Sequence, residues 1–97
     1  MLVKPLFIPL LGVYYDQFIS GEKHTEYRKY GPRWNERTCP VGRKVLLSRG
    51  YGRAQRSYGE ITWSFKQDSM PWNKPYLDIY GDVPAMCIEI KLDEETS

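Results

Sequence analysis

Lys23, His24, Glu26 and Arg28 place two cations, an imidazole and a carboxylate within six consecutive positions. If this stretch is a strand, His24, Glu26 and Arg28 share one face and Thr25 and Tyr27 the other. Thr25 and Tyr27 are then expected against the core, with the polar trio turned to a cleft and Lys23 at its mouth. Glu26 beside Arg28 would fix the guanidinium for a phosphate or a nucleobase edge. The competing reading is an ion pair that only holds the fold together. Lys23 would contact phosphate, or act as a base if burial and neighbouring cations lower its pKa. Lys23 and Glu26 would in that case be the reactive pair, with Glu26 activating water. In an open cleft, water would screen Glu26 after Arg28→Ala, and the expected stability cost is about 0–1 kcal/mol.

A second group, Arg49, Tyr51 and Arg53, lies in or beside a glycine-containing loop read from Gly50 to Tyr58. A loop tyrosine flanked by arginines suits base stacking with phosphate contacts; a plain connecting loop is the alternative. These residues sit in a basic segment. From Lys23 to Arg56, ten Lys and Arg face only Glu26 and Glu36, a net +8, whereas the rest of the chain carries a net −6. Such asymmetry points to an anionic partner, or to a solvated face that pairs with the acidic parts after folding. One histidine and two distant cysteines give no zinc-ligand cluster. The chain has neither the glycine-rich phosphate loop of nucleotide hydrolases nor a Gly-x-Ser-x-Gly nucleophile turn. No metal or cofactor is expected.

These residues must be positioned by a single domain. Ninety-seven residues are too few for two cores, and 41% hydrophobic against 27% charged is a globular balance. No apolar run approaches the ~18–20 residues of a membrane span. Leu6–Leu10 reads as an edge or irregular strand, because Pro9 lacks a donor. Val13–Ser20 has helical spacing, closed by Gly21. His24–Tyr30 alternates as a strand, and Gly31-Pro32 breaks it before a short helical turn through Trp34 to Arg37. Arg43–Arg49 is a buried strand around Val45-Leu46-Leu47. Glu60–Lys66 alternates so that Ile61, Trp63 and Phe65 face the core. Gln67–Pro75 reads as a loop. Met86, Ile88, Ile90 and Leu92 mark a final strand, followed by a frayed acidic tail over 93–97. Cys39 and Cys87 read as reduced thiols in a cytoplasmic protein, Cys87 as a small buried hydrophobe.

Gly21-Glu22-Lys23-His24-Thr25-Glu26-Tyr27-Arg28 resembles the GxKxxExR motif of the ASCH domain family. A strand and helix before it, Trp34 and Arg37 after it, and the strand ends Ser48-Arg49-Gly50-Tyr51 and Cys87-Ile88-Glu89-Ile90 extend the likeness over nearly the whole chain. The compact form resembles phage or prophage members. The resemblance implies an α+β, mainly β fold: a small PUA-like β-barrel with one or two short helices. It implies RNA or a nucleotide as ligand in a cleft lined by the motif; the expected binding residues are Lys23, His24, Glu26 and Arg28 there, with Arg49, Tyr51 and Arg53 added by the reading of the loop. Relatives include single-strand ribonucleases and N4-acylcytidine amidohydrolases. In the latter a Thr follows the Lys by three residues, where this chain has Glu26. Thr25, one place away, points to the opposite strand face. Binding is therefore the first expectation, with catalysis by Lys23 and Glu26 the alternative and a host protein as partner the third.

Overall fold

The computed structural model describes residues 4–93. In chain order the elements are β1 (Leu6–Leu10), α1 (Gly12–Ser20), β2 (Thr25–Lys29), β3 (Lys44–Arg49), β4 (Arg56–Gln67), α2 (Lys74–Tyr80) and β5 (Ala85–Leu92). They form one five-stranded sheet in the order β1-β3-β4-β5-β2, with only the β1–β3 pair parallel. No helix among the described residues is long and apolar enough to cross a membrane.

The mixed, mainly β character agrees with expectation, but the barrel does not close. The sheet is an open half-barrel that sweeps 238° and leaves its edges 9 Å apart. Two hydrogen-bonded strands lie about 4.8 Å apart, so no ladder joins β1 to β2. Side chains occupy the gap instead. Arg28 of β2 donates from Nη2 to the carbonyl of Pro9 on β1, and Pro9 has no N–H with which to answer.

The concave face carries the main core: Ile8, Val45, Leu47, Ile61, Met86 and Ile88 are fully buried there, covered by Tyr15 and Phe18 of α1. Tyr15 fixes the helix further through a 2.8 Å bond between its hydroxyl and that of Ser57. A smaller core of Met70, Tyr76, Ala85 and Cys87 lies apart from it. Residues 85–88 of β5 are consequently buried one after another, on both sides of the strand. Cys39 and Cys87 are free and buried, one in each core.

The register of β4 overturns part of the expected core. Ile61 pairs with Ile90 and Trp63 with Glu89, so Thr62 is an extra residue, a β-bulge. A one-residue insertion exchanges the faces of everything beyond it. Ile61 is buried, but Trp63 and Phe65 are 57% and 42% exposed, and Ser64 turns inward to donate to Cys39 O at 2.6 Å. Three smaller expectations also change. Tyr58 belongs to β4 rather than to the loop before it. Pro32 to Arg37 forms bends and a turn rather than a helix, because Asn35 bonds its own neighbours, accepting from the amides of Arg37 and Thr38. Asp93 is not frayed: its amide donates to Tyr58 O, and Lys44 Nζ bonds its carboxylate at 2.8 Å. The rest of the expected tail, 94–97, lies outside the described residues.

Candidate functional site

Local chain geometry places Lys23. Gly21 ends α1 with φ +87°, the left-handed region where glycine is favoured. This turn bonds the Lys23 amide back to Gln17 O at 3.1 Å. The side chain then lies over α1, with its ammonium 5.3 Å from the Tyr14 ring centre, 5.7 Å from Phe18 and 5.2 Å from Tyr27. Burial lowers the Lys23 pKa from its ordinary value; Glu26 opposes this and Arg28 adds to it.

Strand pairing places Glu26 and Arg28. They stand opposite Ile88 and Met86, while Thr25 and Tyr27 stand opposite Glu89 and Cys87. Glu26 and Arg28 therefore share the face of the main core, contrary to the expected arrangement, and Tyr27 packs against the smaller core. The expectation missed that β5 is covered on both faces. Glu26 is only 7% exposed. Its Oε2 accepts from Arg28 Nε at 2.7 Å, and its Oε1 lies 3.8 Å from Lys23 Nζ. The Arg28 guanidinium also lies 4.9 Å from the Trp34 ring centre. This is a half-closed charge cluster rather than an open cleft, so the small stability cost expected for Arg28→Ala does not stand.

The cluster forms one wall of a cavity of about 460 Å³. Pro9, Leu10 and Leu11 border it on one side, Gly50 and Tyr51 at another, and α2 supplies Asn73, Pro75, Tyr76, Ile79 and Tyr80. Sequence reading missed the α2 wall. Its signals are present: Asn73 caps the helix by accepting from Tyr76 N, Pro75 lies in the first turn, and Gly81 follows the last. Tyr76 and Tyr80, four residues apart, bring their ring centres to 4.9 Å.

The other expected site residues divide. Tyr51 lines the cavity and is 81% exposed. His24 does not line it: its carbonyl accepts from Ile90 N at 2.8 Å, and it borders a second depression with Ile19, Thr62, Glu89 and Lys91, which Lys23 also touches. Arg49 does not line the cavity: it pairs with Asp16 at 3.4 Å, against Gly12 of α1. Arg53 is exposed on the loop and does not line the cavity either. The basic segment is partly consumed by structure. Arg43 donates to Thr38 O and Lys4 O, and Arg56 bonds Gly52 O and covers the Phe7 ring at 5.2 Å.

Comparison with family models, curated proteins and solved structures gives no match.

Proposed function

We propose that the cavity beside β2 binds a nucleotide, or one nucleotide of a single-stranded RNA. The observation that carries this reading is the meeting of Lys23, Glu26 and Arg28 at one 460 Å³ cavity that five tyrosines also line: Tyr14, Tyr27, Tyr51, Tyr76 and Tyr80. Its size suits a small ligand. Aromatic walls favour a planar base, and two cations against one carboxylate favour an anionic group. Lys23 is the cation with capacity to spare, since it meets Glu26 only at 3.8 Å, beyond hydrogen-bond length. Lys23, Glu26 and Arg28, three of the four fixed positions of the motif that resembles the ASCH family's, line the cavity, which supports the same ligand class.

Binding is favoured over hydrolysis. Glu26 Oε2 is bonded to Arg28 and Lys23 Nζ stands 3.8 Å from Oε1, so the carboxylate is engaged in holding the two cations in place. Thr25 is on the opposite face of β2 from Glu26. Free, buried thiols at Cys39 and Cys87 fit a reducing, cytoplasmic setting.

Calorimetric titration with AMP, GMP, CMP and UMP tests the reading. At least one should bind, more weakly as salt rises from about 50 to 200 mM, and Lys23→Met should lower the affinity about tenfold or more. Absence of binding by all four, or equal affinity in Lys23→Met, overturns it.

A further inference from the structure

We infer that the surface loop over residues 50–55 is a second nucleotide platform, so that the ligand is a strand rather than a free mononucleotide. This rests on the cavity reading above and extends it beyond the cavity. Tyr51 is the most exposed large hydrophobic side chain of the described residues, 81% accessible, and it stands at the cavity rim. An aromatic ring so placed gains little from burial, yet the loop beneath it is tightly tied. Arg49 N donates to Gln55 O at 3.0 Å and closes the loop. Gly50 turns through φ +72° and bonds Leu10 O at 2.8 Å. Ser48 Oγ and Arg56 Nε both donate to Gly52 O, each at 3.2 Å.

The ring is also supported from the side. Tyr51 lies 6.3 Å from Phe7 of β1 at an interplanar angle of 47°, and the Arg56 guanidinium covers that same Phe7 ring at 5.2 Å. These ties hold the loop backbone that presents the Tyr51 ring to solvent, so the loop itself has little freedom left to lose on binding. Arg53, two residues further along the same loop, is exposed and adds a cation to it. An exposed aromatic face with an adjacent arginine is the combination that stacks a base and meets its phosphate. Continuity favours a strand as the occupant. Tyr51 belongs to the cavity rim and to the platform at once, so a base stacked on its outer side would be the chain neighbour of the nucleotide inside.

The test compares AMP and UMP with tetra-adenylate and tetra-uridylate, as RNA and as DNA. The tetramers should bind about tenfold or more tighter than the matching mononucleotide, because stacking on the platform adds to cavity binding. Arg53→Ala lies outside the cavity. It should weaken tetramer binding about three- to tenfold, reduce the slope of log affinity against log salt by about 0.7, and leave mononucleotide affinity unchanged. Tyr51→Ala should weaken the tetramers, and Tyr51→Phe should restore them, since the ring rather than the hydroxyl does the stacking. A preference for the RNA tetramers would assign RNA, and equal binding of DNA would widen the class to any single strand. Tetramers that bind no tighter than mononucleotides, or that ignore Arg53→Ala, overturn the platform while the cavity reading stands. Failure of mononucleotides and tetramers alike overturns both.

Discussion

Arg28→Ala should cost about 3–5 kcal/mol of folding free energy, the range for breaking a buried ion pair from one side. In the native protein Arg28 Nε donates to Glu26 at 2.7 Å, Nη2 donates to Pro9 O across the open seam, and the guanidinium lies 4.9 Å from the Trp34 ring centre. A hydrogen bond to a charged group contributes about 1.5–3 kcal/mol, and a desolvated cation–π contact about 2 kcal/mol. One truncation removes them together, so they do not simply add. The largest consequence falls on Glu26, which is 7% exposed and would keep only Lys23, at 3.8 Å, as an ion-pair partner. In a domain of this size each kcal/mol moves the melting temperature by about 4–8 °C, so the variant should melt more than about 12 °C below wild type. Thermal and urea melts of wild type, Arg28→Ala, Glu26→Gln and the double variant measure it. The double variant should be more stable than the sum of the single losses, since no lone carboxylate remains. An Arg28→Ala protein that melts within about 4 °C of wild type would refute the reasoning and show that water reaches Glu26 freely.

Three further predictions concern the frame around the site. Trp63→Ser should cost less than about 1 kcal/mol, because the bulge at Thr62 turns Trp63 outward; a loss of the ~3–5 kcal/mol expected for a core tryptophan would place it inside. Gly59→Ala should destabilise by about 1–3 kcal/mol in urea melts, since its Cβ would stand 2.8 Å from the backbone oxygen of Lys91; an unchanged urea midpoint would contradict the β4–β5 approach. Burial pushes the Cys87 thiol from 9.0 up to about 11 and raises Cys39 as well. The native state therefore holds thiol protons that the unfolded chain releases, so this contribution is complete below pH 9 and is lost as pH rises towards 11. Urea midpoints should fall between pH 9 and 10, less steeply in Cys87→Ala, and a wild-type midpoint that rises over that interval would contradict the assignment.

The parts of the site that depend on near neighbours were legible in the sequence. Lys23, Glu26 and Arg28 sit within one turn-and-strand unit, and Gly21 announces the turn that aims Lys23. The parts that depend on distant pairing were not. Whether the barrel closes depends on how β1 and β2 approach one another, bridged here by Arg28 and Pro9 nineteen residues apart, and alternation along β2 cannot show which face of β5 is the deeper core. Trp63 and Phe65 alternate cleanly with their neighbours, yet the unpaired Thr62 reverses them, and a bulge leaves no mark in a local pattern of period two. The α2 wall was hidden by prolines that read as a loop, although Asn73, Pro75 and Gly81 are also the start and stop residues of a short helix. Arg49 shows the limit of charge counting: its pairing with Asp16 removes it from the free basic surface.

The most direct test of the central claim is amide chemical-shift mapping of the full chain during titration with the mononucleotide that binds best. Binding in the cavity predicts saturable shifts at Lys23, Glu26 and Tyr27 of the motif, at Gly50 and Tyr51 of the rim and at Tyr76 and Tyr80 of α2, all lost in Lys23→Met. Shifts confined to the outward side of β4 around Trp63 and Phe65, or to the depression beside His24, would contradict it.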